Sequence, residues 1–167
     1  DFSPENSLLP DLDRHKNLVV LQTLSKAWGM AGIRLGMAFA SPEIIGILNK
    51  IKYPYNLNIL TQEKALEMLE NKEQVENWAA TLINERNRIS EELKNLTVVK
   101  TVYPSDANFV LVSVENATLI YNKLVEKGII VRDRSKVNLC AGCLRITIGS
   151  PEENNLLLEA LKNINLA

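Results

Sequence analysis

The chain has 167 residues, 46% hydrophobic and 23% charged, a make-up typical of a globular protein with room for one ordinary domain or two small ones. A net charge of −1 argues against a nucleic-acid surface, where a basic stripe is expected. No apolar run approaches the roughly 18 residues that span a bilayer as a helix, and no signal-peptide pattern opens the sequence, so the reading is a cytoplasmic enzyme or a part of one.

The opening, Asp1-Phe2-Ser3-Pro4, has no initiator methionine and reads as though cut from something longer. Residues 4–10 form a loop in which Leu8 and Leu9 anchor a short turn. The run Leu18-Val19-Val20-Leu21 predicts a strand over 18–23, and 35–40 predicts a second strand after a glycine-studded stretch. Ser41-Pro42-Glu43 has the form of a helix start, with Ser as N-cap, Pro at the first position and an acid in the first turn. That helix runs to about Lys52 and stops before Pro54. Asn58 or Thr61 caps the next, with Ala65, Leu66 and Leu69 on one face.

From Lys72 to Leu96, Val75, Trp78, Ala79, Leu82, Ile83, Arg86, Ile89 and Leu93 recur at helical spacing. A helix this long usually bridges two lobes. Beyond it come strands over 98–103 and 108–114, a helix over 117–127, a short strand over 129–132, a strand over 144–148 and a helix over 151–163. Gly128 serves as the terminator of the first of these helices, and Ser150-Pro151-Glu152-Glu153 as the start of the second. The predicted class is α/β in two unequal parts. Residues 1–72 carry too few elements to close a sheet, and residues 73–167 form a self-sufficient lobe.

The residues that carry chemistry begin with Lys26, in Thr23-Leu24-Ser25-Lys26-Ala27-Trp28-Gly29-Met30-Ala31-Gly32-Ile33-Arg34-Leu35-Gly36. An amine placed after an apolar strand among small residues suits Schiff-base chemistry, provided it is desolvated and pre-positioned. Hydroxyls at Thr23 and Ser25 and the guanidinium of Arg34 suit a phosphate beside it, although the hydroxyls could equally bond local backbone. Arg145, flanked by Leu144 and Ile146, either pairs with a buried acid or waits for an anion. For Arg132 the residues themselves suggest a salt bridge to Asp133 or Glu126. The pair Cys140 and Cys143 runs into a strand rather than a helix and lacks a second ligand pair, so it is read as two plain thiols and no metal site is assigned. His15 is read as a solvated loop residue.

Taken together, the lysine string, Lys52-Tyr53-Pro54-Tyr55-Asn56-Leu57-Asn58, Gly128-Ile129-Ile130-Val131-Arg132-Asp133 and Gly142-Cys143-Leu144-Arg145-Ile146-Thr147-Ile148-Gly149 resemble, in order, the motifs of histidinol-phosphate aminotransferases. The resemblance implies the C-terminal part of a fold-type-I transferase, with the end of a large-domain sheet over 1–72 and a complete small α/β domain over 73–167. It implies pyridoxal 5'-phosphate as cofactor and Lys26 as Schiff base and proton shuttle, with Thr23, Ser25 and Arg34 on the cofactor phosphate. Arg145 would clamp the substrate carboxylate and Arg132 would read a substrate phosphate. The 52–58 loop would line the pocket or a dimer interface.

The implied reaction moves an amino group between histidinol phosphate and 2-oxoglutarate, with glutamate as the other product, in a homodimer of the full enzyme. The family's aspartate for the pyridine nitrogen and its ring-stacking aromatic have no counterpart here, and Asp1 falls after that aspartate. The chain alone is therefore expected to be inactive. Rival readings are a threonine-phosphate decarboxylase, an aromatic aminotransferase, or a non-catalytic α/β interaction module with an unpaired sheet edge.

Overall fold

A computed structural model of the chain describes residues 1–164. The contact pattern divides it into two compact units, one essentially Ser3–Trp78 and the other Ala79 onward together with Phe2. None of the described helices is long and apolar enough to cross a membrane.

The first unit holds a two-stranded antiparallel sheet of β1 (Val19–Thr23) and β2 (Gly36–Ala40), then α1 (Pro42–Ile51) and α2 (Ile59–Leu69). Its buried cluster is small, comprising Leu24, Met30 and Ala65, with Trp28, Ile33, Leu35, Met37 and Met68 packed around them. Asn58 is the cap of α2, its side chain accepting from the Thr61 N–H at 2.9 Å. The Thr61 hydroxyl is buried and donates to Ile33 O at 3.1 Å, which ties α2 to the lysine string itself. Leu66 and Leu69 are exposed, and α2 buries only Thr61 and Ala65. Ser41 occupies the N-cap position of α1 without a side-chain cap bond. Glu43 is nevertheless held below the usual carboxylate range, first by its own backbone N–H and then by the Ser41 hydroxyl.

The long helix α3 (Lys72–Lys94) leads from the first unit into the second. There follow β3 (Val99–Val102), β4 (Phe109–Val114), α4 (Ala117–Glu126), β5 (Arg132–Asp133), β6 (Cys143–Thr147) and α5 (Pro151–Lys162). The sheet is antiparallel in the order β3-β4-β6-β5. Alternation along β4 and β6 sends Val110, Val112, Val114, Leu144 and Ile146 to one face. Ile89 and Leu93 of α3, Ile120 and Leu124 of α4, and Leu157, Leu158 and Leu161 of α5 complete that core.

Strand β5 is shorter and later than the 129–132 run predicted, because the end of α4 consumes the residues before it. The Gly128 N–H donates to Val125 O and the Ile129 N–H to Leu124 O, both at 2.9 Å, with Gly128 at φ +75°. This is a Schellman termination, which needs a residue that tolerates the left-handed region. Only Arg132 and Asp133 then reach β6. At the start of α5 the capping box is complete, with Ser150 Oγ accepting from the Glu153 N–H and Glu153 reaching back to the Ser150 N–H. The Glu153 side chain occupies the space that a Cβ on Gly149 would need, so a larger residue there would displace the capping carboxylate.

Two polar groups stitch the second unit from inside. Arg86 is buried and its Nη1 donates to Phe2 O at 3.2 Å and Ala107 O at 3.0 Å. Asn154, 2% exposed, accepts from the Gly149 N–H and donates to Gly149 O and to Glu85 Oε2. Asn154→Ala leaves buried partners unpaired and is expected to cost about 2 kcal/mol, read as a lower denaturation midpoint of this unit by circular dichroism. Glu85 is held below its usual range, chiefly by the Arg88 guanidinium bonded to it at 2.7 and 2.9 Å. A depressed folded-state value stabilises above the unfolded value, near pH 4.3, and that stability is lost as pH falls through the folded value. Glu85→Gln is therefore expected to be less stable than the parent at pH 7, with the gap closing as denaturation is repeated at decreasing pH below about 4.

Candidate active site

The two strands of the first unit pair with Thr23 opposite Gly36, so the chain leaves the sheet at Thr23 and re-enters it at Gly36. Everything from Ser25 to Arg34 hangs from that one end of the hairpin. Leu24, Ala27 and Met30 turn inward and are buried, while Lys26 between them is exposed. The Met30 N–H donates to Leu24 O and the Gly29 N–H to Lys26 O, both at 2.9 Å. The turn is thus pinned on each side of the lysine while its amine is left to project.

Thr23 Oγ1 lies 2.9 Å from Ser25 Oγ and 3.2 Å from Leu35 O, and it accepts from the Ser25 N–H at 3.1 Å. The local-bonding alternative for Thr23 is therefore real, and its effect is to bring both hydroxyls together at the hairpin end. Arg34 is exposed and sits in the left-handed region at φ 57°, with its Nη1 donating to Ala31 O at 2.9 Å. The two hydroxyls thus adjoin at the hairpin end, and the Lys26 amine and the Arg34 guanidinium are carried on the same connection between the strands.

In the second unit, Arg145 occupies the β6 face opposite the core, across from Leu111 of β4 and Arg132 of β5. Its guanidinium stacks over the Phe109 ring, 4.9 Å from the centroid. Arg145 Nε is buried and has no hydrogen-bond partner. Burial, and then the charges of Arg132 and Arg134, push this guanidinium below its usual range. Among the described residues neither Arg145 nor Arg132 forms an ion pair, so the alternative pairing of Arg132 with Asp133 or Glu126 is not what the structure holds. A buried cationic N–H without a partner costs free energy until an acceptor arrives.

Phe109 was not legible as a site residue. The cross-strand register that puts it beneath Arg145 is a long-range property, and the only local hint is an aromatic on the non-core parity of β4. Of the tyrosine loop, Tyr53 and Tyr55 are 84% and 96% exposed, and Asn58 serves the α2 cap. Cys140 and Cys143 are free thiols across a turn, with the Cys143 N–H donating to Cys140 O at 3.0 Å.

The aminotransferase class I and II family profile matches residues 1–161. The chain belongs to that family. It is 60% identical over 166 residues to a histidinol-phosphate aminotransferase of Parabacteroides distasonis, covering 99% of this chain and 48% of that relative. Among solved structures it is similar to the histidinol-phosphate aminotransferase of Clostridium acetobutylicum, with a TM-score of 0.87, 27% identity, and coverage of 96% of this chain and 49% of that one. It is also similar to the Sinorhizobium meliloti histidinol-phosphate aminotransferase solved with pyridoxal-5'-phosphate, with a TM-score of 0.79, 26% identity, and coverage of 92% and 42% respectively. The chain thus spans about half the length of the relatives it matches and is a mixed α/β part of the class I and II aminotransferase fold.

The hairpin closure yields a direct test. Thr23→Val removes the acceptor of the Ser25 N–H and the donor to Leu35 O, a net loss of about 1 kcal/mol. Hydrogen exchange at the Ser25 amide is expected to speed up about fivefold, while amides of β6 stay as they were.

Proposed function

We propose that this chain is the C-terminal portion of a pyridoxal-phosphate-dependent histidinol-phosphate aminotransferase, exchanging an amino group between histidinol phosphate and 2-oxoglutarate, with glutamate as the other product. The observation that carries the reading is Arg145, a half-buried guanidinium stacked on Phe109 with an orphaned Nε and Arg132 opposite. Such an arrangement is built for an anion, and it lies in a chain 60% identical to a named histidinol-phosphate aminotransferase.

In this reading the Lys26 amine would hold the cofactor, and Thr23, Ser25 and Arg34 would grip its phosphate. When bound, pyridoxal phosphate supplies the electron-withdrawing ring that stabilises negative charge at the substrate carbon. Lys26 Nζ would serve as the base that moves the proton at that substrate carbon. Arg145 clamps the carboxylate of glutamate or 2-oxoglutarate through a bidentate pair, and Arg132 reads the phosphate of histidinol phosphate. The full enzyme works as a cytoplasmic homodimer.

In the full-length protein, Lys26→Ala is expected to lower kcat for histidinol phosphate at least about 1,000-fold, measured as glutamate formed from 2-oxoglutarate. A wild-type protein that decarboxylates phosphothreonine, or aminates only non-phosphorylated aromatic substrates, would overturn the assignment. The exposed amine also implies that the 167-residue chain alone holds the cofactor poorly, since a reactive amine needs desolvation. Borohydride reduction followed by intact mass is expected to show no lasting adduct at Lys26 of this chain, in contrast to the full-length protein.

A further inference from the structure

We infer that Arg134 is a third anion-facing guanidinium beside Arg132 and Arg145, and that it makes the site select a doubly charged phosphate head over a singly charged carboxylate. This inference rests on the aminotransferase reading above and extends it to a residue outside the motifs singled out in the sequence.

The register places Arg134. Arg132 pairs with Arg145 and Asp133 with Leu144. The Arg134 N–H then donates to Cys143 O at 2.8 Å, so the ladder continues one residue past β5. In an antiparallel pair residues two apart share a face, which puts Arg132 and Arg134 on the side of Arg145. Asp133 takes the opposite side with Leu144, and its carboxylate accepts from the Ser135 N–H at 2.8 Å. The carboxylate nearest in sequence is thus turned away from the three cations and already engaged.

Charge and burial point the same way. None of Arg132, Arg134 and Arg145 forms an ion pair among the described residues. Arg134 is half-buried where Arg132 is exposed, so it is not a freely solvated side chain. Its charge registers at Arg145 alongside that of Arg132. Like charges gathered without counter-ions repel one another until an anion enters. One guanidinium satisfies a carboxylate through a bidentate pair. A phosphate monoester brings nearly two charges and three terminal oxygens, and three guanidinia carried on one face match that demand.

The test compares Arg134→Gln and Arg134→Lys with the parent in the full-length holoenzyme. For Arg134→Gln, kcat/KM for histidinol phosphate is expected to fall at least fivefold more than kcat/KM for glutamate. The loss should lie in KM, and Arg134→Lys should recover part of it. Inhibition by inorganic phosphate should weaken in parallel. Equal losses for both substrates, or none for either, would overturn the inference and leave Arg134 a loop residue.

A separate arm uses no turnover, namely the rise in unfolding midpoint produced by inorganic phosphate. Should the parent fail to aminate with histidinol phosphate, the functional reading falls, and this arm still decides Arg134. A smaller phosphate shift in Arg134→Gln than in the parent supports the role, and an equal shift refutes it.

Discussion

Alternation along β6 is the constraint on which the arginine face depends. Leu144 and Ile146 are fully buried against Val112 and Val110, and without them the second unit has no centre. With those two committed inward, Arg145 must emerge on the other face. A one-residue slip would place a guanidinium in the core and two large aliphatics in water, which no compensating contact could offset. The packing of this unit and the outward presentation of Arg145 are therefore the same event. Phe109 completes the arrangement by giving the guanidinium a flat apolar support that asks for no hydrogen bonds, so the Arg145 Nε is left available.

The lysine end follows the same logic by other means. No regular element carries Lys26. It is fixed by burying its neighbours Leu24, Ala27 and Met30 and by the turn bonds around Gly29. Thr23 then closes the hairpin end by bridging to Leu35 and Ser25. A backbone held this firmly under an exposed amine is a positioned group in wet surroundings.

Much of the architecture was legible in the residues. The β4 and β6 runs show clear period-two burial, and α3 shows its stripe, with Ile89 and Leu93 fully buried and Trp78 left half open. Ser150-Pro151-Glu152-Glu153 announced the capping box it forms. The errors fell where tertiary closure overrides local pattern. Ile129 looked like strand but is spent on closing α4. Ala65, Leu66 and Leu69 were read as one face of α2, and of the three only Ala65 is buried. Lys26, Arg132 and Arg145 stood out because each is a charge set among apolar or small residues. Phe109 and Arg134 did not, since their meaning arises only when strands distant in sequence come into register.

The inequality of the two buried clusters has a consequence for how the chain comes apart. One is a continuous interior drawn from three helices and the sheet, whereas the other amounts to Leu24, Met30 and Ala65 with partial cover. Their opening free energies should differ accordingly, so heat or urea will not act on a single cooperative body. The lysine-bearing part loosens while the arginine-bearing part is still closed, and proteolytic nicks will accumulate first on the lysine side of Trp78.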